Sequence, residues 1–205
     1  MTRAERIALA WLPFAATLVS ARSWRVGNWE HVTTRRLNRL PEVLHYPLWA
    51  VMQTGTAGAP MVAGATALAL GRPALAPRLA GSGLTAYLLA KGVKRVVRRG
   101  RPEELVVGIR IRGRPATGDG YVSGHAAVSM ALATEVLPLC TSSARALPLA
   151  TASLVAVARV YVGAHLPLDA LGGAALGWAI TRTVSELSHP PNQTGSSILT
   201  GQRRF

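Results

Sequence analysis

The sequence predicts an all-α protein, an integral-membrane bundle of five or six transmembrane helices. Three observations lead there. Of 205 residues, 49% are hydrophobic and 16% charged, whereas an ordinary soluble domain is about 25% charged. Pro47 to Gly71 carries no charge at all, and a helix of that length crosses roughly 30 Å of hydrocarbon. Further apolar runs follow, and polar connections rich in arginine separate them.

The elements can be taken in order. Ile7 to Ala21 is apolar behind a short basic start with Arg3 and Arg6. It reads as a signal peptide, a first membrane helix or an interfacial helix. The cleavage chemistry at Val19-Ser20-Ala21 is poor and Pro13 interrupts the run, so a retained membrane segment is favoured. Arg22 to His45 is more polar. Arg35, Arg36 and Arg39 alternate there with Leu37, Leu40 and Val43–Leu44, a spacing suited to a helix at the head groups. Pro47 to Gly71 is the strongest transmembrane signal, and its glycines and alanines permit close packing.

Three or four weaker spans follow. Leu75 to Val93 carries Arg78 and Lys91 near its ends, where they can snorkel. Ala126 to Cys140 is apolar except for Glu135, and Ala146 to Val162 except for Arg159. Leu168 to Ile180 begins with Asp169 and contains Gly172, Gly173 and Gly177. Between two of these spans, Lys94 to Tyr121 forms a polar connection. The expected organisation is one membrane-embedded domain over 1–187, with 188–205 as a disordered tail.

The net charge is +14, and only Lys91 and Lys94 are lysine. Such an excess points to anionic partners. Nucleic acid fits poorly, because the basic residues interrupt apolar stretches rather than cover a soluble face. Anionic lipid head groups and phosphate esters fit better. With a single cysteine, Cys140, there is no internal disulfide and no thiolate metal cluster.

Ionisable residues at span ends are expensive in lipid and are functional candidates by default. They fall into three groups. Lys94 and Arg101 are seven apart, on one helix face, with Pro102 ending the helix. Taken alone they read as positive flanking of a span. Ser123-Gly124-His125 precedes an apolar run. Ser123 can cap the next helix, whose free N–H groups suit a phosphate, and Gly124 permits close approach. His125 can give a proton to a leaving oxygen. Taken alone, this is a capped helix with a chance histidine. Arg159, His165 and Asp169 follow, with Pro167 suited to a first helical turn. Asp169 there can accept the N–H of His165 and leave the other ring nitrogen free to attack. Taken alone, the pair is equally a structural hydrogen bond.

Together the groups resemble the signature of the type 2 phosphatidic acid phosphatase superfamily: Lys-x6-Arg-Pro, then Pro-Ser-Gly-His, then Ser-Arg-x5-His-x3-Asp. Here the three read KRVVRRGRP at 94–102, VSGH at 122–125 and ARVYVGAHLPLD at 158–169. The family-like region covers about 46–187. Val122 replaces the usual proline and Ala158 the usual serine. The second change removes a hydroxyl that can help hold phosphate.

The resemblance implies a membrane phosphatase acting on a lipid phosphate or isoprenyl (di)phosphate through a phosphohistidine on His165. His125 would serve as acid and then base, and Asp169 would orient His165. Lys94, Arg101, Arg159, Ser123 and Gly124 would hold the phosphoryl oxygens. Three cations would stand where a metal acts elsewhere, and no Asp/Glu cluster suits Mg²⁺, so no cofactor is expected. The expected partners are the lipid substrate and membrane lipids. The expected location is the cell membrane, multi-pass. Counting basic residues leans the site towards the cytoplasm, although many bacterial members of the family face outward. Two alternatives remain. A soluble relative of the acid phosphatases and haloperoxidases is disfavoured by the uncharged run. A non-catalytic binder or transporter is the other, though no paired inverted halves are visible.

Overall fold

The computed structural model describes residues 1–23 and 25–188, and among these every regular element is helical. The helices are α1 (Arg3–Arg22), α2 (Asn28–Asn38), α3 (His45–Met52), α4 (Ala59–Ala69), α5 (Ala76–Val97), α6 (Pro102–Leu105), α7 (Gly124–Val136), α8 (Ala146–Tyr161) and α9 (Pro167–Ser188). The all-α expectation is met. Ser188 is still helical, and the rest of the expected tail lies outside the described residues.

Helix α7 is the centre of the bundle and packs against α5, α8 and α9, with α1 laid along α9 and α4 along α5. The contact surfaces are built from small residues. Ala86, Ala90, Ala126, Ala127 and Ala131 are fully buried or nearly so. A Cβ on Gly173 or Gly177 would run into the backbone of Ser123 or Ala127. Close approach of this kind lets helices pack without a large hydrophobic side-chain layer. Large apolar side chains point outward instead: Leu12, Val62, Leu68, Leu88 and Leu147 are all more than half exposed.

One expectation is corrected. The uncharged run Pro47 to Gly71 is not one continuous helix. It is α3 and α4 separated by a short 3₁₀ turn at Gln53–Gly55 and a bend to Gly58. Gly55 sits against α7, where a Cβ would lie 2.5 Å from the carbonyl oxygen of His125. The two helices meet this turn at opposite ends and do not lie side by side. Among the described residues, the one helix long and apolar enough to cross a membrane by length and composition is α1, while Ala59–Ala69 and Ala146–Tyr161 are apolar but shorter.

Helix α2 leaves Arg35 and Arg36 exposed and turns a polar face inward. It buries Glu30, Thr34 and Asn38, which recur every four residues, and leaves Trp29 and Val32 exposed. Its polar stripe faces the protein because partners wait there. Asn38 donates to the carbonyls of Arg110 (2.8 Å) and Tyr161 (2.9 Å) and accepts from the Arg110 N–H (2.8 Å).

Alternation of direction brings the C-terminal ends of α1, α5 and α8 to the same end of the bundle as the N-terminal ends of α3, α7 and α9. All eight sequence-selected site residues belong to this end.

Candidate active site

Lys94 lies in the last turn of α5. The helix stops at Val97 because Arg98 turns left-handed, with φ of 51°. Arg101 therefore does not share a helix face with Lys94, as its spacing suggested. It caps α6 after the chain has turned. The two cations reach one place from different elements, and both hold the loop before α7. Lys94 Nζ donates to the carbonyls of Asp119 (2.9 Å) and Gly120 (3.1 Å). Arg101 donates to Gly118 (2.6 Å), Thr117 (2.8 Å) and Ala164 (2.7 Å).

Ser123 caps α7 through its side chain, which accepts the Ala126 N–H at 3.4 Å. Its own N–H donates to the carbonyl of Asp169 at 2.9 Å, which ties the starts of α7 and α9 together. Gly124 and His125 form the first turn of α7. Arg159 projects from the last turn of α8. Its Nη1 is 3.8 Å from the sulfur of Met52, and its buried Nε has no partner.

The chain leaves α8 through Gly163, at φ of 78°, a left-handed conformation that glycine adopts without strain. His165 follows in this turn, and Pro167 opens α9. His165 is 3% exposed. Burial, then the charges of Lys94, Arg159 and Arg101, hold its imidazole well below the usual histidine value, so the ring is neutral.

The predicted His165–Asp169 hydrogen bond is not formed. Nδ1 lies 3.7 Å from Oδ2 and has no other partner. The carboxylate is engaged elsewhere. Oδ2 accepts the Leu166 N–H at 2.9 Å, and Oδ1 accepts from Arg99 at 3.0 Å. Sequence reasoning missed Arg99, which is fully buried. It also missed Glu30, which pairs with Arg99 at 2.7 Å. Arg99 is one arginine among eight basic residues between 94 and 114, and nothing in the sequence separates it from its neighbours.

A cavity of about 280 Å³ opens beside these groups. Arg101, His125, Arg159 and Ala164 line it, joined by His45, Arg112 and Arg114, which the sequence did not single out. Lys94, Ser123, Gly124, His165 and Asp169 are not among its lining residues. The predicted set therefore divides into residues that line the cavity and residues that do not.

A model of the PAP2 superfamily matches residues 76–191, more than half of the chain. The chain belongs to the PAP2 superfamily. The fold of a transmembrane PAP2-type phosphatidylglycerolphosphate phosphatase from Bacillus subtilis superposes with a TM-score of 0.73 at 17% identity, covering 89% of this chain and 95% of that one. LpxE from Aquifex aeolicus superposes with a TM-score of 0.67 at 20% identity, covering 76% of this chain and 93% of that one. No curated protein matches the chain in sequence. Within this PAP2 domain the matched region begins at α5, so α1 to α4, and Glu30 with them, lie outside it.

Proposed function

We propose that this PAP2 protein is a membrane phosphatase that hydrolyses a lipid phosphate or isoprenyl (di)phosphate through a phosphohistidine on His165. The observation that carries the reading is an unpartnered buried cation at the cavity. Arg159 lines the cavity and its Nε has no hydrogen-bond partner, with Lys94 and Arg101 close enough to shape the charge at His165. Buried polar atoms are normally satisfied, and a phosphoryl group is an anion that would satisfy such a cation.

In this reading a neutral ring nitrogen of His165 attacks phosphorus, and the P–O bond to the leaving group breaks. His125, at the cavity wall, protonates the departing oxygen. It then takes a proton from the water that hydrolyses the P–N bond. Arg159, Arg101 and Lys94 offset charge on the equatorial oxygens, and Ser123 and the Gly124 N–H add hydrogen bonds. Asp169 balances the positive charge that develops on His165, and binding closes its 3.7 Å gap, as catalytic bonds often tighten only in the complex.

An apolar groove supports the lipid. The cavity shares Gln53 and Thr56 with an adjoining pocket. That pocket shares Thr54, Ala63 and Leu132 with an apolar groove of about 560 Å³ that reaches Cys140 and Leu147 at the far end. A phosphate at Arg159 would leave its hydrocarbon tail a path along α4, α7 and α8. Six spans are proposed: α1, α3 with α4 in line, α5, α7, α8 and α9. The outward-facing leucines and valines suit lipid contact. Arg99, Arg101 and Arg112 are buried, so the cytoplasmic lean of the charge count rests on the other basic residues at the site end.

Phosphate release from detergent-solubilised protein, across a panel of lipid phosphates, tests the reading. His165→Ala is expected to abolish turnover, and EDTA to leave it intact. Retained turnover in His165→Ala would sink the mechanism.

A further inference from the structure

Behind His165 lies an ion cluster that is completely enclosed. Arg99 is 0% exposed, Asp169 0% and Glu30 2%. One guanidinium serves two carboxylates. Nη1 of Arg99 donates to Asp169 Oδ1 at 3.0 Å and to Glu30 Oε1 at 3.2 Å, and Nη2 donates to Glu30 Oε2 at 2.7 Å. Glu30 Oε1 also accepts the Leu168 N–H at 3.3 Å, at the start of α9. Burial opposes the charge on Arg99, but Glu30 and Asp169 more than offset this, and its pKa is raised.

The charge count matters. Arg99 with Asp169 alone would be neutral, and the carboxylate would offer little to a neighbouring imidazole. Two carboxylates around one guanidinium leave one net negative charge in a dry site, where electrostatic effects are strong. Isolated buried charge is costly and needs a use or a partner. His165 sits directly against this cluster, with Nδ1 3.7 Å from Asp169. On its other sides it faces cations, namely Lys94 from α5, Arg101 from the loop before α6 and Arg159 from α8, and His125 from α7. Those groups favour the incoming phosphate but oppose positive charge on the imidazole.

We propose that Glu30 is a positioning residue for the reaction. Its carboxylate offsets the charge of Arg99, so that the enclosed cluster stays net negative beside the imidazole of His165 as phosphorus bonds to it. The inference rests on the phosphohistidine reading above. It assigns a role to a helix, α2, that lies outside the region matched to the family.

Charge on the imidazole builds in the transition state and not in the bound substrate, so the effect belongs in kcat rather than KM. Glu30→Gln keeps the shape and the acceptor towards Leu168 but removes the charge. With phosphatidate in detergent micelles, and p-nitrophenyl phosphate as a tail-free substrate, kcat is expected to fall about 10- to 100-fold, with KM within about threefold. Losing a negative charge also disfavours the imidazolium. The acid limb of kcat/KM is therefore expected to move to lower pH by about half a unit or more. Glu30→Asp keeps the charge and is expected to keep the wild-type limb, whatever its melting temperature. If Glu30→Gln does not give monodisperse protein, Glu30→Asp carries the test, and a displaced limb in it overturns the proposal. Wild-type turnover together with a Glu30→Gln variant of unchanged kcat and unchanged limb overturns this inference alone. A wild-type protein that releases phosphate from neither substrate overturns the reading of the site, and this inference with it.

Discussion

Gly55 offers a sharp test of how the broken run α3–α4 supports the site. A Cβ at this position would lie 2.5 Å from the carbonyl oxygen of His125 and 3.1 Å from its C and Cα atoms. Real Cβ contacts essentially never fall below 3.0 Å, so the carbonyl must retreat by at least the difference, 0.5 Å. The obstacle is backbone in the first turn of α7 and cannot swing aside as a side chain would. Overpacking of this kind costs about 1–3 kcal/mol. For a chain of this size that is a fall in Tm of about 2–12 °C. The displaced residue is also the proposed proton donor, and a misplacement of about 1 Å can cost roughly 100-fold in rate. Gly55→Ala is thus expected to lower kcat about 10- to 100-fold and to melt earlier. Gly58→Ala is the control, because nothing lies within 4 Å of its Cβ. The assay is phosphate release and thermal unfolding of both variants in one detergent. If Gly55→Ala matches Gly58→Ala in kcat and Tm, the proposed seating of the turn on His125 is refuted.

Arg159→Ala is expected to lose about 100- to 1,000-fold in kcat/KM, with Arg159→Lys recovering part of it; inhibition by inorganic phosphate, weakened in parallel, checks that the loss is in anion binding. Arg78→Ala removes the cation that holds the buried Glu135 at 2.8 Å. Arg78 is 42% exposed, so the cost is set at about 1–2 kcal/mol, below that of a fully buried pair, with kcat per folded molecule unchanged because this pair is at the far end. His165 has a folded pKa below 6.5, so below that pH the unfolded chain takes up a proton that the folded chain refuses. Stability is therefore present above pH 6.5 and is lost as pH falls towards the folded value. Melting scans should show that decline in wild type and a shallower one in His165→Gln.

The sequence makes the helices legible wherever an apolar run is bounded by charge or proline. Helices α5, α7, α8 and α9 begin or end within a few residues of Leu75, Ala126, Val162 and Leu168. The break in Pro47 to Gly71 was harder to see. Gly55, Gly58 and Pro60 are present, but small residues in an apolar run mark close packing as readily as a bend. What decides between them is the backbone of α7, a tertiary fact. The inward polar stripe of α2 leaves no signal in the sequence for a related reason. Outward apolar and inward polar residues suit a helix whose solvent side is lipid and whose protein side holds ionic partners.

The site was legible as a list and not as a hierarchy. Spacing brought out the eight residues, but it could not say that Arg101 and Lys94 are occupied by loop carbonyls while Arg159 keeps an unpaired nitrogen. Nor could it separate Asp169 as a simple hydrogen-bond partner of His165 from Asp169 as one corner of an ion cluster. That distinction depends on Glu30, a residue more than sixty positions before Arg99. A buried carboxylate so distant leaves no local pattern. It becomes visible only when α2 is seen to turn its polar face inward, and that same turn gives the imidazole of His165 a negative neighbour against the cations that surround it.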